Sequence, residues 1–87
     1  MITMLESRRL AESGQEVTFT YRGKTFRGYF ALGGSPVWPE HGGWVWITDT
    51  GRPHGASVDL DLVTVLSPDL GALPRCWWEI EPPGVAS

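Results

Sequence analysis

The side chains best suited to metal binding or acid–base chemistry in this 87-residue chain are two histidines, one cysteine and a pair of aspartates. His41, His54 and Cys76 could supply three metal ligands, but their spacing matches no common zinc pattern. Asp59 and Asp61 could serve as a paired acid and base, yet they lie two residues apart in a predicted turn, where aspartate is common for capping. We therefore expect two exposed loop histidines, no metal site and no cofactor.

Motifs typical of enzymes do not occur in the sequence. It has no Gly-x-Ser-x-Gly turn, no glycine-rich phosphate loop and no His-Glu-x-x-His pair. The sequence therefore predicts a protein that is not an enzyme.

Five tryptophans are the most unusual feature of the composition, and they are Trp38, Trp44, Trp46, Trp77 and Trp78. One interpretation is structural, because large rings fill the core of a small domain and bury about 150–250 Å² each. The functional interpretation is an aromatic groove that Trp38 forms with Trp44 or Trp46, with Glu40 or Asp49 at its rim. Tryptophan is favoured at binding hot spots, and its ring face attracts cations. We expect this surface to bind a protein or peptide; the alternative is a small aromatic or cationic molecule in a Trp-lined pocket.

A second candidate surface lies on the first predicted hairpin, where basic and aromatic residues alternate. Rings can stack on bases while cations contact phosphates, which suits single-stranded nucleic acid. The candidate contacts are Arg22, Lys24, Arg27 and Tyr29. The formal net charge of −3 argues against a general affinity for phosphate backbones, so nucleic-acid binding is an alternative and not the leading hypothesis.

The N-terminal segment has the pattern of a short helix. Thr3 and Glu6 have the spacing of a capping box, in which each side chain satisfies a backbone N–H group of the other residue. Gly14 stands where a helix C-cap is expected. The pattern predicts a helix over residues 4–12.

Residues 16–32 predict a β-hairpin. Residues 16–22 alternate between apolar and polar side chains, Gly23-Lys24 forms the predicted turn, and residues 25–32 return. Gly28 in the middle of the second strand indicates a bulge or a sharp bend.

The Trp-containing strand follows a long loop over residues 33–43. Trp44 and Trp46 point to one face of this strand, while Val45 and Ile47 point to the other. Short strands are then predicted over residues 56–58 and 63–66, with a 3₁₀ turn at residues 59–62 between them. Residues 75–81 predict one more strand, which could cover Trp44 and Trp46.

This order of elements, over residues 15–66, resembles that of the SH3-like small barrels. The resemblance implies an all-β fold: one SH3-like barrel of five or six short antiparallel strands with the N-terminal helix. The acidic Ala-Leu-Tyr-Asp-Tyr start of true SH3 domains is missing, so their Pro-rich ligand is not implied. Residues 17–30 also resemble small phage head–tail joining proteins, which implies an accessory role in a mobile element. The predicted core is Val17, Phe19, Phe26, Phe30, Val45, Ile47, Val58, Leu60, Val63 and Val65.

Size and composition predict one domain over residues 1–87, with a connection and the extra strand at 67–81 and a frayed tail at 82–87. No apolar run is long enough to span a membrane, and the N-terminus has neither the basic start nor the apolar core of a signal peptide. A single cysteine fits a reducing compartment, so we expect a cytoplasmic protein. Pairing of two copies through the Trp face or a sheet edge is a further alternative.

Overall fold

The computed structural model describes residues 1–38, 40–76 and 79. In chain order the elements are α1 (Met4–Ser13), β1 (Val17–Tyr21), β2 (Lys24–Ala31), β3 (Gly42–Ile47), β4 (His54–Asp59), a 3₁₀ turn (Leu60–Leu62), β5 (Val63–Ser67) and a second 3₁₀ turn (Leu70–Ala72). The prediction of a small, mainly β structure with one short N-terminal helix is confirmed.

The five strands form one antiparallel sheet in the order β4-β3-β2-β1-β5. Among the described residues, β4 and β5 each pair on one side only, so the sheet has two edges and the predicted closure into a barrel is wrong. The 3₁₀ turn leads the chain from β4 into β5, which pairs with β1 and not with β4. The Asp59 N–H donates to the Tyr21 hydroxyl at 3.0 Å, which ties the end of β4 to the end of β1. The sheet is therefore curled but open.

The predicted capping box begins α1. The Thr3 hydroxyl accepts the Glu6 N–H at 3.1 Å, and the Glu6 carboxylate accepts the Thr3 N–H at 2.9 Å. Gly14 ends the helix with φ 67°, a left-handed conformation that glycine adopts without a steric penalty. The helix packs against β2 and β3 and buries Leu10 completely.

β1 and β2 form the predicted hairpin, but its turn lies one residue earlier than expected. The turn residues are Arg22 and Gly23, both with positive φ (51° and 82°). Two residues in this conformation give a turn whose twist matches that of the flanking strands. Lys24 is therefore the first residue of β2 and not part of the turn.

Gly28 is the residue at which β2 passes from one neighbouring strand to the other. It pairs with Val17 of β1 and with Ile47 of β3, and neither pairing shifts register there, so the predicted bulge is absent. A Cβ atom at this position would lie 3.0 Å from the carbonyl carbon of Trp46 and still nearer to its oxygen. The glycine thus allows the backbone of β3 to approach β2 closely.

Phe19 lies at the centre of the core. Its ring centroid is 5.9 Å from that of Phe26 and 5.5 Å from that of Phe30, which meets it edge-on. Eight of the ten predicted core side chains are buried, while Phe26 and Val65 are partly buried against them. Ile2 and Leu73 are also buried, although the sequence pattern did not place them in the core.

The predicted strand over residues 75–81 and the predicted tail over 82–87 lie mostly outside the described residues. Cys76 is buried, and its carbonyl accepts the Glu79 N–H at 2.9 Å, which is a turn-type hydrogen bond. The guanidinium group of Arg9 binds both carboxylate oxygens of Glu79, at 3.0 and 3.1 Å from Nε. This bond lowers the pKa of Glu79 to about 2. In the part of the chain that is described, no helix is long and apolar enough to cross a membrane.

Candidate functional site

Two tryptophans of β3 reach solvent on the face of the sheet turned away from the core. The exposed fraction is 36% for Trp44 and 46% for Trp46, whereas Val45 and Ile47 on the opposite face are buried. The alternation of side chains along a strand produces this division. Both indoles are therefore surface groups of the sheet.

The neighbouring strands add an aromatic ring and a flat floor to this surface. Tyr29 of β2 pairs directly with Trp46 and is 41% exposed. Side chains that face each other across paired strands are in contact range. On the other side the Trp44 indole covers Gly55 of β4, where a Cβ atom would lie 2.8 Å from Cε2 of the ring. The absence of a side chain at Gly55 thus lets the indole lie against the backbone.

Trp38, in the loop before β3, extends the same row. Gly42 has the same strand parity as Trp44, and a Cβ atom on it would lie 2.7 Å from the Cβ of Trp38. The backbone carbonyl and Cβ of Trp38, together with the Cβ of Ser35, therefore occupy the space of a side chain at the start of β3. This space lies about two residues, or roughly 7 Å, from the position of Trp44. Ser35 holds the loop there: its buried hydroxyl accepts the N–H groups of Val37, at 3.0 Å, and Trp38, at 3.3 Å. Trp38, Trp44, Trp46 and Tyr29 together form what we call the aromatic strip.

A cavity of about 290 Å³ opens beside the first residue of the strip, and we call it the loop pocket. The described residues that line it are Val37, Trp38, Glu40 and His41. Trp38 and Glu40 thus lie in one concavity, but Trp44 and Trp46 are not among its lining residues. The predicted groove is therefore divided into a flat strip and a separate pocket at its end.

The histidine of the loop pocket is paired with two aspartates. Its Nδ1 lies 2.7 Å from Oδ1 of Asp59 and 3.7 Å from Oδ2 of Asp61. Asp59 also accepts the Asp61 N–H at 3.0 Å, which caps the 3₁₀ turn. The register of β3 and β4 places Gly42 opposite Asp59, and it therefore brings His41 beside the turn.

These contacts change the protonation of both partners. The hydrogen bond to Asp59, together with the negative charges of Asp59, Asp61 and Glu40, raises the pKa of His41 above its ordinary value against the opposing effect of desolvation. Burial by itself would raise the pKa of Asp59, but the hydrogen bonds from His41 and from the Asp61 backbone lower it below its ordinary value. The imidazolium–carboxylate form of the pair is therefore favoured.

The sequence pattern does not indicate this grouping, because His41 and Asp59 lie 18 residues apart in the chain and the spacing does not favour Asp59 over His54 or Cys76 as a partner of His41. His54 instead contacts the Arg52 carbonyl, with Nδ1 at 3.1 Å, and the buried Cys76 lies beside Glu79. The ligand atoms of His41, Asp59 and Asp61 lie within 4.8 Å of one another, which a metal ion could bridge. The hydrogen bond between His41 and Asp59 by itself accounts for their closeness. A correct prediction of the register between β3 and β4 would have placed His41 beside Asp59 and Asp61.

Asp49, the other predicted rim residue, lies beyond the opposite end of β3. Its carboxylate is 3.9 Å from the Nε of Arg27, whose side chain is 57% exposed. Arg27 lies two residues before Tyr29 in β2, so both side chains point to the same face of the sheet. The ion pair of Arg27 and Asp49 therefore borders the strip at the Trp46 end.

The predicted nucleic-acid contacts do not form a single row. Lys24 and Arg27 differ by an odd number of residues along β2 and therefore point to opposite faces. Arg22 lies in the hairpin turn, with its guanidinium carbon 5.6 Å from the ring centroid of Tyr21. Tyr29 belongs to the aromatic strip, so the four residues are divided between two faces and a turn.

The strip and the loop pocket adjoin each other at Trp38, with Glu40 at the pocket end of this surface and the ion pair of Arg27 and Asp49 at the other end. The chain matches no family model, no curated protein and no solved structure. What the protein does is therefore inferred from the strip and the pocket themselves.

Proposed function

We propose that this chain is a non-enzymatic interaction module that binds a protein or peptide partner through the aromatic strip. The observation that carries the proposal is the exposure of Trp44, Trp46 and Tyr29 in neighbouring positions on one face of a sheet whose other face is buried. Tryptophan and tyrosine are enriched among the residues that dominate binding energy, because they offer a large contact area with few rotatable bonds.

The flatness of the strip favours a macromolecular partner over a small molecule. A drug-sized ligand needs a cavity of about 300–1,000 Å³ that encloses most of its surface. Trp44 and Trp46 line neither the loop pocket nor the cavity of about 150 Å³ beside Phe19, whereas an extended peptide segment can lie across a flat row of rings. Glu40 at the pocket end of the strip, and the net charge of −3, favour a partner that is not itself acidic.

The test is selection of peptides from a random library on the immobilised protein, followed by affinity measurement with variants. Trp46→Thr removes the ring and keeps a residue that suits a strand. Leu66→Thr is the matched control, because Leu66 is an exposed apolar residue of β5, which does not flank β3. We expect selected peptides to lose at least about tenfold in affinity for Trp46→Thr and to bind Leu66→Thr like the wild type. Circular dichroism of each variant checks that the fold is kept.

Two outcomes would contradict the proposal. If peptides bind the Trp46→Thr and Leu66→Thr variants equally well, the strip is not the binding surface. If the wild type sediments as a dimer and Trp46→Thr as a monomer, the strip is an interface between copies of this chain, and the homodimer alternative is correct.

A small-molecule ligand is the second candidate function, favoured by the loop pocket of about 290 Å³. The test is an NMR titration of the Trp38 indole N–H signal with aromatic amines. A shift that saturates at micromolar concentration and is unchanged in the Trp46→Thr variant would support this candidate. The nucleic-acid alternative predicts salt-sensitive binding of short oligonucleotides, which fluorescence anisotropy measures. Absence of such binding at low salt would exclude it.

We also propose a relation to the SH3-like small barrels and, as a further alternative, a role in phage head–tail joining. The first is supported by the order of elements, with a long loop before β3 and a 3₁₀ turn between β4 and β5. The second is supported by the sequence of residues 17–30 alone.

A further inference from the structure

We infer that the loop pocket beside Trp38 binds the positively charged side chain of a lysine or arginine in the partner. This inference rests on the proposed function and adds the chemistry of the partner: its recognised segment is basic. The segment would place its cationic side chain in the pocket and its neighbouring residues on Trp44 and Trp46.

The charge of the pocket is the first argument. Glu40 lines it, and Asp59 and Asp61 stand behind His41. With His41 protonated these four groups carry a net charge of −2, and with His41 neutral they carry −3. Arg22, in the hairpin turn, places a positive charge near Asp59, but no described lysine or arginine lines the cavity, so Glu40 is open to a cation from outside.

The aromatic wall is the second argument. The indole of Trp38 is half-buried and lines the cavity, and an indole face attracts ammonium and guanidinium groups that come within about 6 Å of its centre. The Ser35 hydrogen bond to the Trp38 N–H and the packing of the Trp38 Cβ over Gly42 position the backbone and Cβ of this residue before any ligand binds. A loop backbone that is already ordered lowers the conformational entropy cost of binding.

The size of the cavity is the third argument. A volume of about 290 Å³ is at the lower limit for pockets that enclose whole small molecules. It suits a single long side chain whose methylene groups contact Val37 and Trp38 and whose charged end reaches Glu40. The pocket and the strip then act on consecutive parts of one extended segment.

The test uses isotopically labelled full-length protein and NMR of the Trp38 indole N–H. The probes are N-acetyl-lysine methylamide, its arginine counterpart, and N-acetyl-norleucine methylamide, which has a similar apolar stem and no charge. We expect the two cationic probes to shift the Trp38 signal in a saturable manner that weakens with added salt, and the norleucine probe to leave it unchanged.

Two variants that each remove one negative charge distinguish binding of the cationic probes in the pocket from their attraction to the net charge of the protein. Glu40→Gln and Glu12→Gln remove the same charge, but Glu12 is an exposed residue of α1 outside the pocket. We expect Glu40→Gln to weaken binding of the lysine probe about twofold to fivefold, and Glu12→Gln to leave it unchanged.

Three results would overturn the inference. An equal response to the norleucine and lysine probes would make the pocket an apolar site. Equal weakening by Glu12→Gln and Glu40→Gln would show attraction by net charge alone. A Trp38 signal that responds to Zn²⁺ but not to the cationic probes would show that His41, Asp59 and Asp61 bind a metal ion instead. Binding of these probes does not require Trp46. If the cationic probes shift the Trp38 signal but peptide binding does not depend on the aromatic strip, the proposed function is refuted while the inference about the loop pocket stands.

Discussion

Replacing Gly28 by alanine tests the close approach of β2 and β3 on which the position of Trp46 depends. The added Cβ would lie 3.0 Å from the carbonyl carbon of Trp46 and 3.1 Å from the Cα of Ile47, and nearer still to the Trp46 oxygen. Carbon atoms prefer separations of about 3.5–4.0 Å, and these neighbours are backbone atoms that cannot rotate away. Overpacking costs about 1–3 kcal/mol, and more where the backbone must shift. We expect Gly28→Ala to lose about 3 kcal/mol or more.

Thermal and urea unfolding followed by circular dichroism measure this loss. For a chain of this size 1 kcal/mol corresponds to about 4–8 °C in Tm, so we expect Tm to fall by about 12 °C or more. Gly34→Ala is the control, because a Cβ on Gly34 meets no atom within 4 Å. Its stability should be unchanged or raised by about 0.4–1 kcal/mol through the unfolded state. A Tm of Gly28→Ala within about 2 °C of that of Gly34→Ala would refute the reasoning.

Three further predictions concern hydrogen bonds and charge. Tyr21→Phe removes the oxygen that accepts the Asp59 N–H, and we expect urea unfolding to show a loss of about 0.5–1.5 kcal/mol. Because the bond from Arg9 lowers the pKa of Glu79 from 4.5 to about 2, its stabilising effect is complete above pH 4.5 and is lost as pH falls through 2. The stability difference between wild type and Glu79→Gln, measured by urea unfolding at stepped pH, should shrink over that interval. As pH rises through the raised pKa of His41, above 6.5, the pocket loses a positive charge, so NMR titration should show tighter binding of the lysine probe; His41→Gln should abolish this dependence.

Each of these predictions has a control. Tyr29→Phe also removes a hydroxyl group, but this one makes no hydrogen bond among the described residues, and a loss equal to that of Tyr21→Phe would contradict the first prediction. Glu12→Gln removes the same charge from a residue that makes no hydrogen bond to Arg9 among the described residues, and a change in its stability difference as large as that of Glu79→Gln would contradict the second prediction. If binding of the lysine probe keeps its pH dependence in His41→Gln, another group is responsible.

The sequence predicted those features that depend on neighbouring residues. The capping box joins Thr3 to Glu6, three residues apart, so the pattern contains both partners. The alternation in β1 and β3 reflects the pleat of a single strand, and it correctly separates the buried Val45 from the exposed Trp44. Local hydrogen bonding and side-chain period are sufficient for these predictions.

Features that depend on how strands meet could not be predicted in the same way. The contact of His41 with Asp59 joins residues 18 apart and exists only in the observed register of β3 and β4. The contact of Arg9 with Glu79 spans 70 residues. Closure of the sheet depends on its overall curl, which no single segment determines. The position of Trp38 follows from the missing side chain of Gly42, and no periodic pattern in the loop indicates it.

The strand order also has a consequence for how the chain folds. Strands β1 to β4 pair with their sequence neighbours, whereas β5 must find β1, with Tyr21 opposite Val63. Closing a long loop costs conformational entropy and slows folding. The first four strands can therefore form by pairing with their sequence neighbours, and the outer edge of β1 stays open until β5 pairs with it. During folding β1 is then an open strand edge that is able to pair with another chain, so a substitution that weakens the pairing of β5 with β1 would promote aggregation.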